Sequence, residues 1–258
     1  MSSSHLKTLD VNADMGEGFG NYQYGNDELL MEHITTANIA CGFHAGDPLI
    51  MRKTVNMAIE HSVALGAHPG TPDLMGFGRR TMTLTPEDVF AYVTYQAGAL
   101  AGFARQQGMK LHHIKPHGAM YNILKDETLA SAAIEAIQTI EPSAFFYWIG
   151  PMGHEPISQI AADAGMRVVM EAYPDLSYTP EGNLIVERVK KPVDPKVVAD
   201  RVRRILVDQT FEAIDGTIIP MQVESVCIHS DGPNAADVAR AIRDTAESVG
   251  VGIAPVLS

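Results

Sequence analysis

Residues 36–48 read TANIACGFHAGDP. Thr36–Cys41 is a short run of strand character, and Gly42 ends it. His44 follows among small residues. Asp47 then supplies an N-cap oxygen, and Pro48 takes the first helical position, where the missing N–H costs nothing. The segment is a strand, a polar loop and a helix start, and this unit recurs along the chain. Strand-like runs lie at Leu6–Asn12, Thr36–Cys41, Val63–Ala67, Leu111–Ile114, Ala144–Ile149, Arg167–Glu171 and Ser225–Ile228. Helical patterns lie at Asp27–Ile34, Pro48–His61, Thr85–Gln107, Glu127–Ile140, Pro156–Ala164, Pro195–Val207 and Asn234–Val249. The stretch NLIVERV (183–189) reads as an extra strand after the sixth. Such alternation makes parallel strands.

The loops after the strands choose between a barrel and an open sheet. They read NADMGEGFGN (12–21), CGFHAGD (41–47), HPGTPDLMGFGRR (68–80), KPHGAMYN (115–122), EAYPDLSY (171–178) and HSDGP (229–233). A doubly wound sheet concentrates its polar residues in one crevice. A barrel builds its site from many strand ends. The expected fold is α/β, a TIM-like (β/α) barrel of seven or so parallel strands, filling residues 1–258 as a single domain.

Hydrophobic content of 46% with 19% charged residues fits a globular chain with a large core. Thirty-one acidic residues against nineteen basic ones give a net charge of −12, which argues against a nucleic-acid groove or an anionic membrane surface. Any anionic small molecule needs a local basic cluster. Two cysteines, Cys41 and Cys227, make neither a zinc ribbon nor a disulfide framework. No basic stretch followed by an apolar one opens the chain, and runs such as AFFYWIG (144–150) are too short to span a bilayer. The expectation is a reduced, cytoplasmic protein, with homo-oligomerisation expected only as a general tendency.

On the barrel reading, Asp14, Glu17, His44, His68, Lys115, His117 and Asp231 converge on one mouth. A single histidine beside a strand end is at least as often a satisfied structural group as a catalytic one. Four of them at four strand ends, His44, His68, His117 and His229, argue together for a site. His5, His33, His61, His112 and His154 fall elsewhere and carry no expectation. Gly16, Gly18 and Gly20 form GxGxG rather than the dinucleotide GxGxxG, and no P-loop motif occurs. Arg79 and Arg80 offer guanidinium forks for carboxylate or phosphate, or else a solvated surface loop. Lys115 at a strand end is costly to bury without an anionic partner. Asp14, His44 and His68 would suit a divalent ion such as Zn²⁺, although none has local metal-ligand spacing. Cys41 reads as a packed thiol rather than a nucleophile or half of a zinc site, and His44 as the functional residue of its loop.

The stretches VNADMGEGFG (11–20), TTANIACGFHAGDP (35–48), GAHPGTPDLMGFGRR (66–80) and HIKPHGAMYN (113–122) are together similar to the LamB/YcsF family. EAYPDLSYTPEG (171–182), AIDG (213–216) and CIHSDGP (227–233) resemble it less closely. The resemblance implies a barrel related to those of glycoside hydrolases and polysaccharide deacetylases. It implies the A subunit of an ATP-dependent 5-oxoprolinase, which with two further subunits, B and C, turns the lactam 5-oxoproline, ATP and water into glutamate, ADP and phosphate. ATP with Mg²⁺ as counter-ion is then the expected cofactor, with room for a bound divalent metal. The catalytic residues it implies are Asp14, Glu17, His44, His68, Lys115 and His117. Those for substrate or ATP are Asn12, Asn38, Asp47, Arg79, Arg80, Tyr121, Asp175, His229 and Asp231.

The sequence departs from the family pattern at three places. Leu176 stands where an arginine is usual after Asp175, VERVKKPVDPK (186–196) lacks a usual Gly-Ala, and Ser230 stands where glycine is common. A lost strand-end arginine raises a paralogue acting on another lactam. Two other classes stay open: a stand-alone metal-dependent hydrolase or deacetylase of C–N bonds, which needs no ATP, and a non-catalytic scaffolding subunit, which would tolerate changes at the strand ends.

Overall fold

The computed structural model describes residues 6–150, 156–187 and 189–257, so His5 and His154 lie outside it. The chain runs β1 (Thr8–Met15), α1 (Asp27–Met31), β2 (Thr36–Ala40), α2 (Pro48–Glu60), β3 (Ala64–His68), a 3₁₀ turn (Leu74–Gly76), α3 (Pro86–Gln106), β4 (His113–Ile114) and α4 (Met120–Ile123). It continues through α5 (Glu127–Ile140), β5 (Phe145–Ile149), α6 (Ile157–Asp163), β6 (Val168–Ala172), β7 (Ser177–Tyr178) and β8 (Leu184–Ile185). It ends with α7 (Pro195–Asp208), β9 (Thr210–Glu212), β10 (Ile218–Pro220), β11 (Ser225–His229), α8 (Ala235–Ser248) and β12 (Gly252–Ile253).

Strands β1 to β6 and β11 pair in that order, all parallel, and β11 pairs back onto β1. This is the expected barrel, closed with seven strands. β12 adds a short parallel pairing at Thr8 and Leu9. Neither β12 nor α4 was expected, and further features differ from the sequence expectation. Among the described residues, the stretch 183–189 contributes Leu184–Ile185, antiparallel to β7. β9 and β10 form an antiparallel hairpin that was not expected. The fourth strand is reduced to His113–Ile114.

Strand β1 explains how the barrel is filled. In TLDVNADM, Leu9, Val11, Ala13 and Met15 belong to the apolar core. The alternate residues Asp10, Asn12 and Asp14 are buried as well. Their partners lie on other strands: Asp10 accepts from Thr36, Ser225 and Tyr147, and Asn12 meets Asn38, Ser225 and Glu171. The period of two therefore sends apolar side chains outward and polar ones into the lumen. Barrel interiors of this type are more often layers of branched aliphatics. Here the lumen is a polar column, and its groups are held by mutual hydrogen bonds because an unpaired buried polar atom is costly. At its lower end the C-terminal segment crosses the barrel: His112 Nε2 donates to the Val256 carbonyl at 2.8 Å, and Val256 packs on Phe145, Tyr147 and Val169.

Gly66 on β3 faces the ring of His113, and a Cβ there would overlap the imidazole. That ring is fixed by an Nε2–Asn38 Oδ1 bond of 2.6 Å and lies on Tyr147, with ring centroids 4.2 Å apart. Gly66→Ala is expected to cost about 1–3 kcal/mol through overpacking. Thermal unfolding checks it: a midpoint unchanged from wild type would show that the lumen can yield.

Candidate active site

The upper end of the polar column is built around Lys115. It follows β4 immediately, and its ammonium is buried between two carboxylates, 3.0 Å from Asp14 Oδ1 and 3.3 Å from Glu171 Oε2. Burial alone would lower its pKa, but the facing acids, Asp14 foremost, hold it well above the ordinary lysine value. Burial raises the Asp14 carboxyl, yet His68 and Lys115 override that and hold it well below the ordinary value. Asn38 Nδ2 also donates to Asp14 Oδ1 at 2.9 Å. Glu171 accepts from Asn12 Nδ2 at 2.9 Å, Tyr121 at 3.0 Å and Tyr173 at 2.6 Å.

Beside this floor stand three imidazoles and Glu17. His44 and His117 stack with centroids 3.6 Å apart and planes 3° from parallel, and His68 meets both edge-on. The stack is possible because Gly70 and Gly78 flank it: a Cβ at Gly70 would lie 2.6 Å from His44 Nδ1, and one at Gly78 would lie 2.7 Å from His44 Cβ. Glu17 Oε1 is 3.5 Å from His44 Nε2 and 3.9 Å from His117 Nδ1. Burial, reinforced by Asp14, pushes the Glu17 carboxyl well above its ordinary value. Burial holds His44 and His117 well below theirs.

Above these groups lies a cavity of about 240 Å³. Asp14, His68, Lys115, His117 and His229 present its polar atoms, with Arg79 and Lys125 as further cations in its lining. Trp148, Ile149, Tyr173, Leu176 and Leu184 make its apolar wall. Tyr121 lines it too, His229 is fixed by Asp175 through a 2.8 Å Nδ1–Oδ2 contact, and Arg79 lies over the Phe77 ring. Asn12 and Asn38 sit lower in the lumen and support Lys115 and Asp14. Asp231 accepts from Tyr24 and is not part of the lining.

Two residues expected at the site are committed elsewhere. Asp47 is the N-cap of α2: one oxygen accepts from the backbone N–H groups of Leu49 and Ile50, the other from Gly20. Arg80 is largely exposed and turns to Asp73, so only its neighbour Arg79 faces the cavity. Glu171, Tyr173 and Trp148 were not expected, although the first two open the loop EAYPD. Of the expected metal set, His44 and His68 stand together with Glu17 and His117, while Asp14 lies alongside, its Oδ2 3.4 Å from His68 Nε2.

Cys41 is buried and donates to the Ile39 carbonyl at 3.1 Å; burial pushes its thiol up to about 12. Burial likewise drives Cys227 well above its ordinary value. Thiols of this kind stay protonated and unreactive at neutral pH. Native protein is expected to take up no iodoacetamide at pH 8, and unfolded protein two equivalents. Intact mass decides this, and a native adduct at Cys41 would reinstate it as a candidate nucleophile.

The LamB/YcsF family model matches residues 9–258. The chain belongs to the LamB/YcsF family. A relative from Thermococcus onnurineus, named as the A subunit of 5-oxoprolinase, is 45% identical over 96% of this chain and 97% of its own length. Another of that name from Pyrococcus horikoshii is 44% identical over the same shares. The crystal structure of a lactam utilization protein from Thermus thermophilus superposes with a TM-score of 0.85 at 40% identity, covering 96% of this chain and all of that one. A peptidoglycan N-acetylglucosamine deacetylase, 9% identical with a TM-score of 0.50 over 98% of this chain and 87% of its own, shares the barrel fold alone. Within the LamB/YcsF family, both of those relatives are named as one subunit of an enzyme.

Proposed function

We propose that this barrel is the A subunit of a cytoplasmic, ATP-dependent 5-oxoprolinase that opens the lactam of 5-oxoproline to glutamate together with two further subunits, B and C. The observation that carries the reading is the cavity over Asp14 and Lys115, found in a chain 45% identical to a protein of that name. Its volume of about 240 Å³ suits one small ring. The Trp148, Leu176 and Leu184 wall would take the ring methylenes, and Arg79 or Lys125 a carboxylate or phosphate. The apolar side chain of Leu176 belongs to that wall, so 5-oxoproline would be held by cations from other loops.

A lactam carbonyl is a poor electrophile, and ATP supplies the missing driving force. In this reading the amide oxygen takes the γ-phosphoryl group and ADP departs. Water adds to the activated carbon as Asp14 accepts its proton, the C–N bond breaks as the nitrogen is protonated, and a second water releases phosphate from the resulting acyl phosphate. Lys115 offsets the charge that develops beside Asp14. ATP would arrive with Mg²⁺ as its counter-ion.

The test is phosphate release from ATP by the purified chain, alone and with its two partner subunits, with and without 5-oxoproline. Release that requires 5-oxoproline and yields equimolar glutamate is expected only from the complete complex. If a competent complex ignored 5-oxoproline but responded to another lactam, the substrate would be reassigned. Hydrolysis by this chain alone, without ATP, would move it to the metal-dependent hydrolases.

A further inference from the structure

The protons in the histidine cluster can be placed from their partners. His68 Nδ1 lies 2.7 Å from the Lys115 carbonyl, and His117 Nε2 lies 2.8 Å from the Phe77 carbonyl. A carbonyl only accepts, so both of these nitrogens carry hydrogen. In a neutral ring the other nitrogen then presents a lone pair. Those two lone pairs, on His68 Nε2 and His117 Nδ1, face each other at 3.0 Å. Two acceptors at that distance repel unless something positive lies against both.

The same space receives a carboxylate oxygen and a third imidazole. Glu17 Oε1 and both ring nitrogens of His44 are buried with no hydrogen-bond partner among the described residues. Buried unpaired polar atoms are rare and costly in folded proteins. A proton shared by His68 and His117 would join one pair of nitrogens and leave Glu17 and His44 as they are. A divalent cation would draw on His68, His117 and Glu17 at once. We infer that Glu17, His68 and His117, with His44 packed against them, form a binding site for one divalent first-row transition metal ion.

The dimensions fit. Tetrahedral zinc with bonds of about 2.0–2.1 Å holds its donor atoms about 3.4 Å apart. The separations here are 3.0 Å for His68–His117 and 3.9 Å for His117–Glu17, and the donor atoms lie within 4.8 Å of one another. His44 stacks face to face on His117 at 3.6 Å, so its lone pairs run parallel to that ring and it walls the site rather than binding the same ion. Two imidazoles and a carboxylate select zinc, iron, cobalt or nickel over magnesium, which prefers oxygen ligands. The carbonyls of Lys115 and Phe77 take the outer N–H groups, fix the tautomers and turn the lone pairs inward. His68 and His117 also line the cavity, so the ion would face whatever binds there.

Metal content is measured without turnover, so the site stands or falls independently of the lactam reading. Full-length protein purified without chelators is expected to carry close to one equivalent of zinc, iron, cobalt or nickel by plasma mass spectrometry. Protein stripped with dipicolinate is expected to take up one equivalent of Co²⁺, with visible d–d absorption, and to bind Zn²⁺ in competition with a chromophoric chelator. His68→Ala is expected to weaken Zn²⁺ binding at least tenfold. Glu17→Gln, which keeps size and removes the anion, is a second variant should the first not fold. Wild-type protein that binds less than a tenth of an equivalent of Zn²⁺ or Co²⁺ after stripping and reloading overturns the site. So does unchanged affinity in both variants.

Discussion

Lys115→Met is expected to lose about 3–5 kcal/mol of folding stability, the usual cost of removing one partner from a buried ion pair. The flexible thioether refills much of the volume of the lysine stem, so packing alone accounts for little of that loss. The charge accounts for the rest. Asp14 and Glu171 both lie against the ammonium, 3.0 and 3.3 Å away, and all three groups are buried. Asn12 and Asn38 can orient the carboxylates but cannot neutralise them. Urea unfolding at neutral pH measures the loss. The double variant Lys115→Met with Glu171→Gln removes one of the two stranded charges and is expected to recover part of it, with a coupling energy of about 0.5–3 kcal/mol. A single-variant loss below about 1 kcal/mol would mean that the lysine is not what balances the two acids.

The barrel was legible because each turn of it is written locally. TANIACGFHAGDP contains a strand, a glycine break, an N-cap and a helix-opening proline in thirteen consecutive residues, and comparable units recur. What was missed is short. β7, β9, β10 and β12 have two or three residues each, too few for a period of two to show, while β4 and β8, which were expected, are shorter than the runs that announced them. The β9–β10 hairpin did have a signal, the Asp215-Gly216 turn in TFEAIDGTIIP.

The site was legible where residue type and strand end coincide, as at Asp14, His68 and Lys115. It was illegible where a neighbour decides. Arg79 and Arg80 have equal standing in the sequence; Asp73, at the start of the 3₁₀ turn, captures the second. Asp47 was recognised as an N-cap, and three backbone donors use its oxygens there. Glu171 sits at the end of an apolar run and reads as a strand boundary. Its role depends on contacts with Asn12, Tyr121 and Lys115, from 159, 50 and 56 residues away in sequence, which no local pattern encodes. One cue was available. LDVNADM alternates strictly, so Asp10, Asn12 and Asp14 share a face, and three polar residues on one face of a buried strand imply a polar lumen.

Asp14→Asn is expected to reduce 5-oxoproline-dependent turnover of the complete complex by a factor of about 10²–10⁴, the range for loss of a positioned general base. Of the groups facing the cavity, Asp14 is the carboxylate closest to both Lys115 and His68. Its Oδ1 is held by Lys115 and Asn38, while its Oδ2 lies 3.4 Å from His68 Nε2 and is the oxygen available to a water. The amide of the variant can keep its oxygen toward Lys115 and Asn38, so shape and those two hydrogen bonds survive the change. Lost binding would show mainly in KM; a lost base lowers kcat with KM little changed. Steady-state kinetics with 5-oxoproline as the varied substrate, on protein shown to be folded, separates these outcomes. A kcat within threefold of wild type would remove Asp14 from proton transfer and leave it a partner for Lys115. The base would then have to be sought at His229, which also lines the cavity.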